Sequence, residues 1–185
     1  MPGTGHGETA GNPTRFPFLR VTVQEDGTGY VDCVPRPPRE QRPGYYHVTT
    51  RGNDGASIYL GTDDRHLFLA RLDRIVRDLS WSLHGWCLMT NHFHLIIEIP
   101  SENLSAGMHR LNSVYAQWFN ERHERTGHLF ERRFSAKRVE GDEQLQNTAD
   151  YVLQNPVKAG LCSNPFDWPW LGGPLLVPAP PARAA

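Results

Sequence analysis

Apolar and polar side chains alternate through the stretch from Trp86 to Pro100, which reads Trp-Cys-Leu-Met-Thr-Asn-His-Phe-His-Leu-Ile-Ile-Glu-Ile-Pro and is rich in strand-forming residues. Successive side chains of a strand point to opposite faces, so His92 and His94 share one face while Phe93, Leu95, Ile97 and Ile99 share the other. Leu83–Met89 and His92–Ile99 read as a hairpin with Thr90-Asn91 at its turn. Tyr45–Arg51 alternates as an earlier strand and Phe134–Val139 as a later one. Elsewhere the period changes to that of a helix. Asp63–Leu79, capped at Asp63, turns Phe68, Leu72, Ile75, Val76 and Leu79 inward, and a second helix runs from about Ser105 to Arg122. A third, Asp142–Asn155, has Asp142 as N-cap, an inward stripe of Leu145, Ala149 and Val152, and Pro156 as its stop. Strands and helices in this order predict an α+β sandwich: an antiparallel sheet with helices on one face and the other face open.

The open face carries the candidate chemistry. Two imidazoles two residues apart on a strand lie within reach of one divalent ion, and a protein metal site needs at least one further ligand. On the third helix Tyr151 and Asn155 are four residues apart, a spacing that aims a phenol and an amide carbonyl the same way. Each piece has an ordinary explanation. Histidines alternate on half-exposed strands, tyrosines pack against cores, and Asn before Pro ends helices. A rival nucleophile, Tyr115, falls in the stripe Met108, Leu111, Tyr115, Trp118 and Phe119, which makes it core; Tyr151 stands off its own helix's stripe.

Taken together, five segments resemble the single-tyrosine HUH transposases, and within them the REP-associated tyrosine transposases with their IS200-like domain. They are Tyr46-His47-Val48-Thr49-Thr50-Arg51-Gly52-Asn53, Leu88-Met89-Thr90-Asn91-His92-Phe93-His94-Leu95, Glu102-Asn103-Leu104-Ser105, Gly127-His128-Leu129-Phe130-Glu131-Arg132-Arg133-Phe134, and Asp150-Tyr151-Val152-Leu153-Gln154-Asn155-Pro156-Val157-Lys158-Ala159-Gly160-Leu161. The resemblance covers Tyr45 to Trp170. It implies a ferredoxin-like core, a divalent metal, Mg²⁺ or Mn²⁺, on His92, His94 and Asn155, and Tyr151 as the group that attacks a DNA phosphodiester, leaving a 5′-phosphotyrosine and a free 3′-hydroxyl. A phenol has a reference pKa of about 10, so its attack benefits from a cation that polarises the phosphate. Thr90 stands where many relatives have proline, and the additional C-terminal segment of longer relatives is not seen. The expected substrate is single-stranded or hairpin DNA, with imperfect palindromes as targets. Whether the pocket forms in a monomer or a homodimer is left open.

Charge modifies this picture. The chain carries 19 Lys and Arg against 20 Asp and Glu, a net −1, so it lacks the global basic character of a tight nucleic-acid binder. Basic residues cluster instead. Arg122, Arg125, Arg132, Arg133, Lys137 and Arg138 stand against Glu124 and Glu131 alone between Arg122 and Arg138. Arg132, Arg133, Lys137 and Arg138, with Arg51 and Asn53, are the expected DNA contacts, and Trp118, Phe119, His128, Phe130 and Phe134 are potential stacking surfaces. The domain is expected over residues 44–170. Residues 1–43 read as a flexible extension or a small hairpin between Phe16 and Val34 across Asp26-Gly27, and residues 171–185 as a Pro, Ala and Gly-rich tail. Nothing reads as a signal peptide or membrane span, and Cys33, Cys87 and Cys162 lack paired metal spacing, so a cytoplasmic location without membrane partners is expected. Two other classes stay open: a non-catalytic nucleic-acid-binding regulator of the same fold, and a metal-dependent phosphoesterase in which Tyr151 is structural.

Overall fold

The computed structural model describes residues 19–23, 29–33 and 41–177, which divide between two units, Met1–Arg39 and Glu40–Ala185. In the first unit β1 (Leu19–Val23) and β2 (Gly29–Cys33) pair antiparallel, Leu19 opposite Cys33 and Val23 opposite Gly29. Both strands fall inside the Phe16–Val34 segment; Asp26-Gly27 and the rest of the expected extension lie outside the described residues.

The second unit is built on five strands in the order β6-β3-β5-β4-β7, every neighbouring pair antiparallel. Along the chain these are β3 (Gly44–Arg51), β4 (Ser82–Leu88), β5 (His92–Ile99), β6 (Ser135–Val139) and β7 (Leu171–Gly172). Three helices, α1 (Thr62–Asp78), α2 (Leu104–Arg122) and α3 (Asp142–Lys158), complete the expected α+β architecture. β5 is central, and its odd positions Phe93, Leu95, Ile97 and Ile99 are buried with Phe68, Leu72 and Ile75 of α1 and Met108, Leu111, Tyr115 and Phe119 of α2. Phe68 meets Phe93 and Tyr115 at ring separations of 4.7 and 5.2 Å. Side chains of this size each stabilise the fold by roughly 1.5–3 kcal/mol when fully buried. Tyr115 is core, as its stripe predicts: its hydroxyl donates to the Ile58 carbonyl at 2.6 Å.

α1 and α2 thus occupy one face, and α3 lies on the other. Ala149 and Val152 of α3 pack with Cys87, Met89, Ile96 and Leu176 in a second, smaller cluster. Thr49, Arg51, Ser135 and Lys137 stay half-buried or exposed, so the β3–β6 side of that face is an open floor.

Several expected boundaries move for identifiable reasons. α1 begins after Gly61, not at Asp63; the fully buried Asp64 reaches back from the first turn to accept the amides of Leu60 (2.7 Å) and Gly61 (3.0 Å). α3 starts after Gly141, with Asp142 its first residue, and passes through Pro156 to Lys158. Its end is set by Gly160 at φ 68°, where the Gly160 amide donates to the Val157 carbonyl and the Leu161 amide to that of Pro156, a Schellman motif. The tail expected from Leu171 is structural up to Val177: β7 pairs with Trp86 and Cys87, the Leu175 amide donates to the His84 carbonyl, and Leu176 is buried. Its glycines serve close approach, since a Cβ on Gly173 would lie 2.6 Å from the Gly85 Cα. Among the described residues no helix is long and apolar enough to cross a membrane.

Asp64 also receives His123 Nε2 at 3.0 Å. Asp64→Ala is therefore expected to leave two amides and an imidazole without their acceptor and to lower stability by about 2–4 kcal/mol. Urea denaturation measures this, and a loss below 1 kcal/mol would contradict the role assigned to the carboxylate.

Candidate functional site

The alternation of β5 delivers both histidines to the α3 face, with ring centroids 5.0 Å apart and planes at 79°. Each has its Nδ1 engaged. His92 Nδ1 lies 2.7 Å from Asn91 Oδ1, while the Asn91 amide nitrogen donates to the Gly55 carbonyl at 3.0 Å. An amide oxygen only accepts, so His92 carries its proton on Nδ1 and presents Nε2 as a lone pair. The partner of His94 is a residue to which the sequence reading gave no role, His47 of β3, whose Nε2 lies 2.9 Å from His94 Nδ1. Only the sheet order reveals it, because β3 and β5 are neighbours in space and far apart in sequence.

Burial lowers the pKa of all three rings. His94 is pushed down to about 3 by burial, reinforced by His47 and His92. His47 falls to about 4, through burial and then Lys137, which sits directly across the β3–β6 ladder. His92 is lowered by burial and then by Arg51, its cross-strand neighbour. All are neutral at physiological pH, the form that binds metals.

These shifts also make stability depend on pH. Below about 6.5 the unfolded chain takes up protons on these histidines, whereas the folded protein protonates His47 and His94 only near 4 and 3. The unfolded state therefore binds more protons in that window, and stability falls as pH falls through it. In EDTA the pair is expected to account for a loss of about 4 kcal/mol between pH 7 and pH 5. Denaturant midpoints should move less over that range in the His47→Gln/His94→Gln double variant; an equal movement would contradict the shifts.

Tyr151 projects from α3 onto these rings, edge-on to His94 at 5.7 Å and to His47 at 5.9 Å. It is 47% exposed. The chain thus brings His92, His94 and Tyr151 together. Asn155, one turn on, donates its amide nitrogen to the Tyr151 carbonyl at 2.7 Å, and its oxygen is the atom left for a ligand. Lys158, beyond the expected end of the helix, places its ammonium 5.2 Å from the Tyr151 ring centre.

A divalent cation can be tested against these donors. His94 Nε2 is buried and has no hydrogen-bond partner. A buried nitrogen left this way is unfavourable unless something binds it, and a lone pair aimed at a cation is the fitting use. Two imidazole nitrogens and an amide oxygen form a borderline donor set compatible with Mn²⁺ or Mg²⁺. Among the described residues no cluster of three or more His, Cys, Asp or Glu is arranged for a metal.

The expected DNA contacts separate by face. Arg51 lies opposite His92, and Lys137 opposite His47, both on the tyrosine face. Gly52 and Asn53 are tied to Phe130 and Leu129, and the Glu131 amide donates to the Arg51 carbonyl, which puts the exposed Arg132 and Arg133 just beyond the His92 end of β3. Arg138 points the other way. It pairs with Tyr46, reaches the Pro43 carbonyl and Glu140, and is not part of this floor. Of the potential stacking side chains, Phe119 and Phe134 are buried, Trp118 and Phe130 pack on the core, and His128 alone is exposed.

Residues 42–155 match the family described as "Transposase IS200 like". A Haemophilus influenzae protein bearing the name REP-associated tyrosine transposase is 25% identical over 138 residues, 69% of this chain and 78% of that relative. The solved structure of a REP-associated tyrosine transposase bound to a REP hairpin shares the fold, with a TM-score of 0.62 and 19% identity over 74% of this chain and 81% of that one.

Proposed function

The chain belongs to the IS200-like transposase family, and on that premise we propose that it is a metal-dependent endonuclease and strand transferase that cuts single-stranded or hairpin DNA through Tyr151. The observation that carries this reading is Tyr151 standing edge-on, 5.7 Å from His94, whose Nε2 is buried and unpartnered. His92, His94 and Asn155 would hold Mg²⁺ or Mn²⁺. Bound there, such a cation would polarise the phosphate and offset its developing charge.

The residues divide the remaining work. Tyr151 Oη attacks the phosphorus and loses its proton; the bond from phosphorus to the 3′ oxygen breaks, and that oxygen takes up a proton as a free 3′-hydroxyl. One phosphodiester is exchanged for another, so the 5′-phosphotyrosine can be resealed onto a new 3′-hydroxyl without an added energy source. Arg51, Asn53, Arg132, Arg133 and Lys137 border the floor on which the strand lies and contact its phosphates. Lys158, beside the tyrosine ring, is placed to meet the phosphate under attack. Within one chain Tyr151 stands edge-on to His94, which supports a cut made by a monomer.

The test uses labelled single-stranded hairpin oligonucleotides with Mn²⁺ or Mg²⁺, a denaturing gel, and mass mapping of any adduct. A metal-dependent adduct on Tyr151 is expected. DNA bound and never cut favours a regulatory module, and turnover of small phosphoesters without an adduct favours a phosphoesterase.

A further inference from the structure

One half-buried imidazole, His47, has no part in the steps above. His47 stands diagonally across the sheet from His94: it is opposite Ile96, two residues further along β5. Neighbours on that diagonal are within reach of long side chains. Their rings stack at 5.1 Å with 15° between planes, and His47 Nε2 comes within 2.9 Å of His94 Nδ1.

Two neutral imidazoles at this separation share one proton along the contact, because facing lone pairs or facing N–H groups repel. Two arrangements are possible. If His47 donates, His94 Nδ1 is the acceptor and His94 Nε2 becomes an N–H buried without an acceptor. If His94 donates, its Nε2 is a bare lone pair. We infer that His47 accepts the Nδ1 proton of His94 and so holds it in the tautomer whose Nε2 can ligate a cation, which makes His47 a positioning residue for the metal site. The inference rests on the metal reading given under Proposed function.

His92 offers an internal parallel. Asn91, anchored on the Gly55 carbonyl, fixes the same tautomer there through an oxygen that cannot donate. With His47 performing that task for His94, both rings carry the proton on Nδ1 and the lone pair on Nε2, as a shared ligand requires. A neutral acceptor also adds no negative charge beside a site that must receive phosphate.

Partners of this kind are worth about 10–100-fold in metal affinity. The experiment uses the whole chain without DNA. His47→Leu removes the acceptor, and His47→Gln returns an acceptor oxygen near the position of Nε2. Calorimetric titration with Mn²⁺ is expected to show binding about 10–100-fold weaker in His47→Leu and within about threefold of the parent in His47→Gln. Imidazole ¹⁵N spectra of the metal-free parent protein should show His94 protonated at Nδ1, and a mixture of tautomers in His47→Leu. Unchanged Mn²⁺ affinity in His47→Leu, equal losses in both variants, or a proton on His94 Nε2 in the parent would each overturn the assignment. If the parent takes up no Mn²⁺, the metal reading itself fails. The tautomer, observed without metal and without any substitution, still decides the hydrogen bond, also if His47→Leu does not fold.

Discussion

Replacing Tyr151 with Phe is expected to abolish the covalent DNA adduct and to lower metal-dependent strand cleavage by at least about 10⁴-fold, because no other group takes the nucleophile's place. The one other tyrosine weighed for the role, Tyr115, is sealed in the core with its hydroxyl committed to Ile58, and burial raises its pKa strongly. The substitution should leave the fold alone. Tyr151 is 47% exposed and its ring is kept, so stability should stay within about 0.5 kcal/mol of the parent and DNA affinity within about threefold. Gel-resolved adducts, single-turnover cleavage and filter binding measure the three quantities. Cleavage at the parental rate in Tyr151→Phe would show a water to be the attacking group and reduce the tyrosine to a wall of the pocket.

The second large effect is expected at His94. His94→Ala removes a ligand and abandons the His47 contact, so Mn²⁺ affinity should fall by more than about 100-fold and adduct formation by about 10³-fold, some 4 kcal/mol of transition-state stabilisation. DNA binding should survive, because Arg51, Arg132, Arg133 and Lys137 lie on other elements. Titration with Mn²⁺, and cleavage over a range of Mn²⁺ concentrations, separate this result from a folding defect: a weakened site is restored in part by excess metal, an unfolded one is not. Parental metal affinity in His94→Ala would remove the histidine from the site.

How far the sequence anticipates these results depends on the range of the interaction concerned. The face shared by His92 and His94 and the face shared by Tyr151 and Asn155 are consequences of strand and helix periods, visible within a few residues. So is the core placement of Tyr115, through the stripe it shares with Leu111 and Phe119. His47 was not recognisable, although it sits in a quoted motif, because its meaning comes from β3 lying beside β5 in the sheet. Lys158 was hidden by Pro156, which reads as a stop although a Schellman motif after it ends the helix. Composition misled at Leu171–Val177, where glycines needed for close packing on Gly85 and Trp86 resemble those of a flexible tail. Arg138 shows the limit of a charge cluster: adjacent residues on a strand face opposite ways, and Lys137 and Arg138 cannot both serve one surface.

The strict alternation of β5 has a consequence for how this protein can change. Of its even-numbered positions His92 and His94 stand on the side of Tyr151 while Ile96 packs under α3, and the odd-numbered ones address the core of α1 and α2. Substitutions at 92 and 94 therefore act beside Tyr151 and leave in place the contacts that the odd-numbered positions make with α1 and α2. Insertions and deletions have no such freedom. A single residue gained or lost in the Met89–Asn91 turn exchanges the two sets, sending imidazoles into the core and phenylalanine to the face of Tyr151. Length variation in that turn is thus filtered at folding, while change beside Tyr151 is left to point substitutions at 92 and 94.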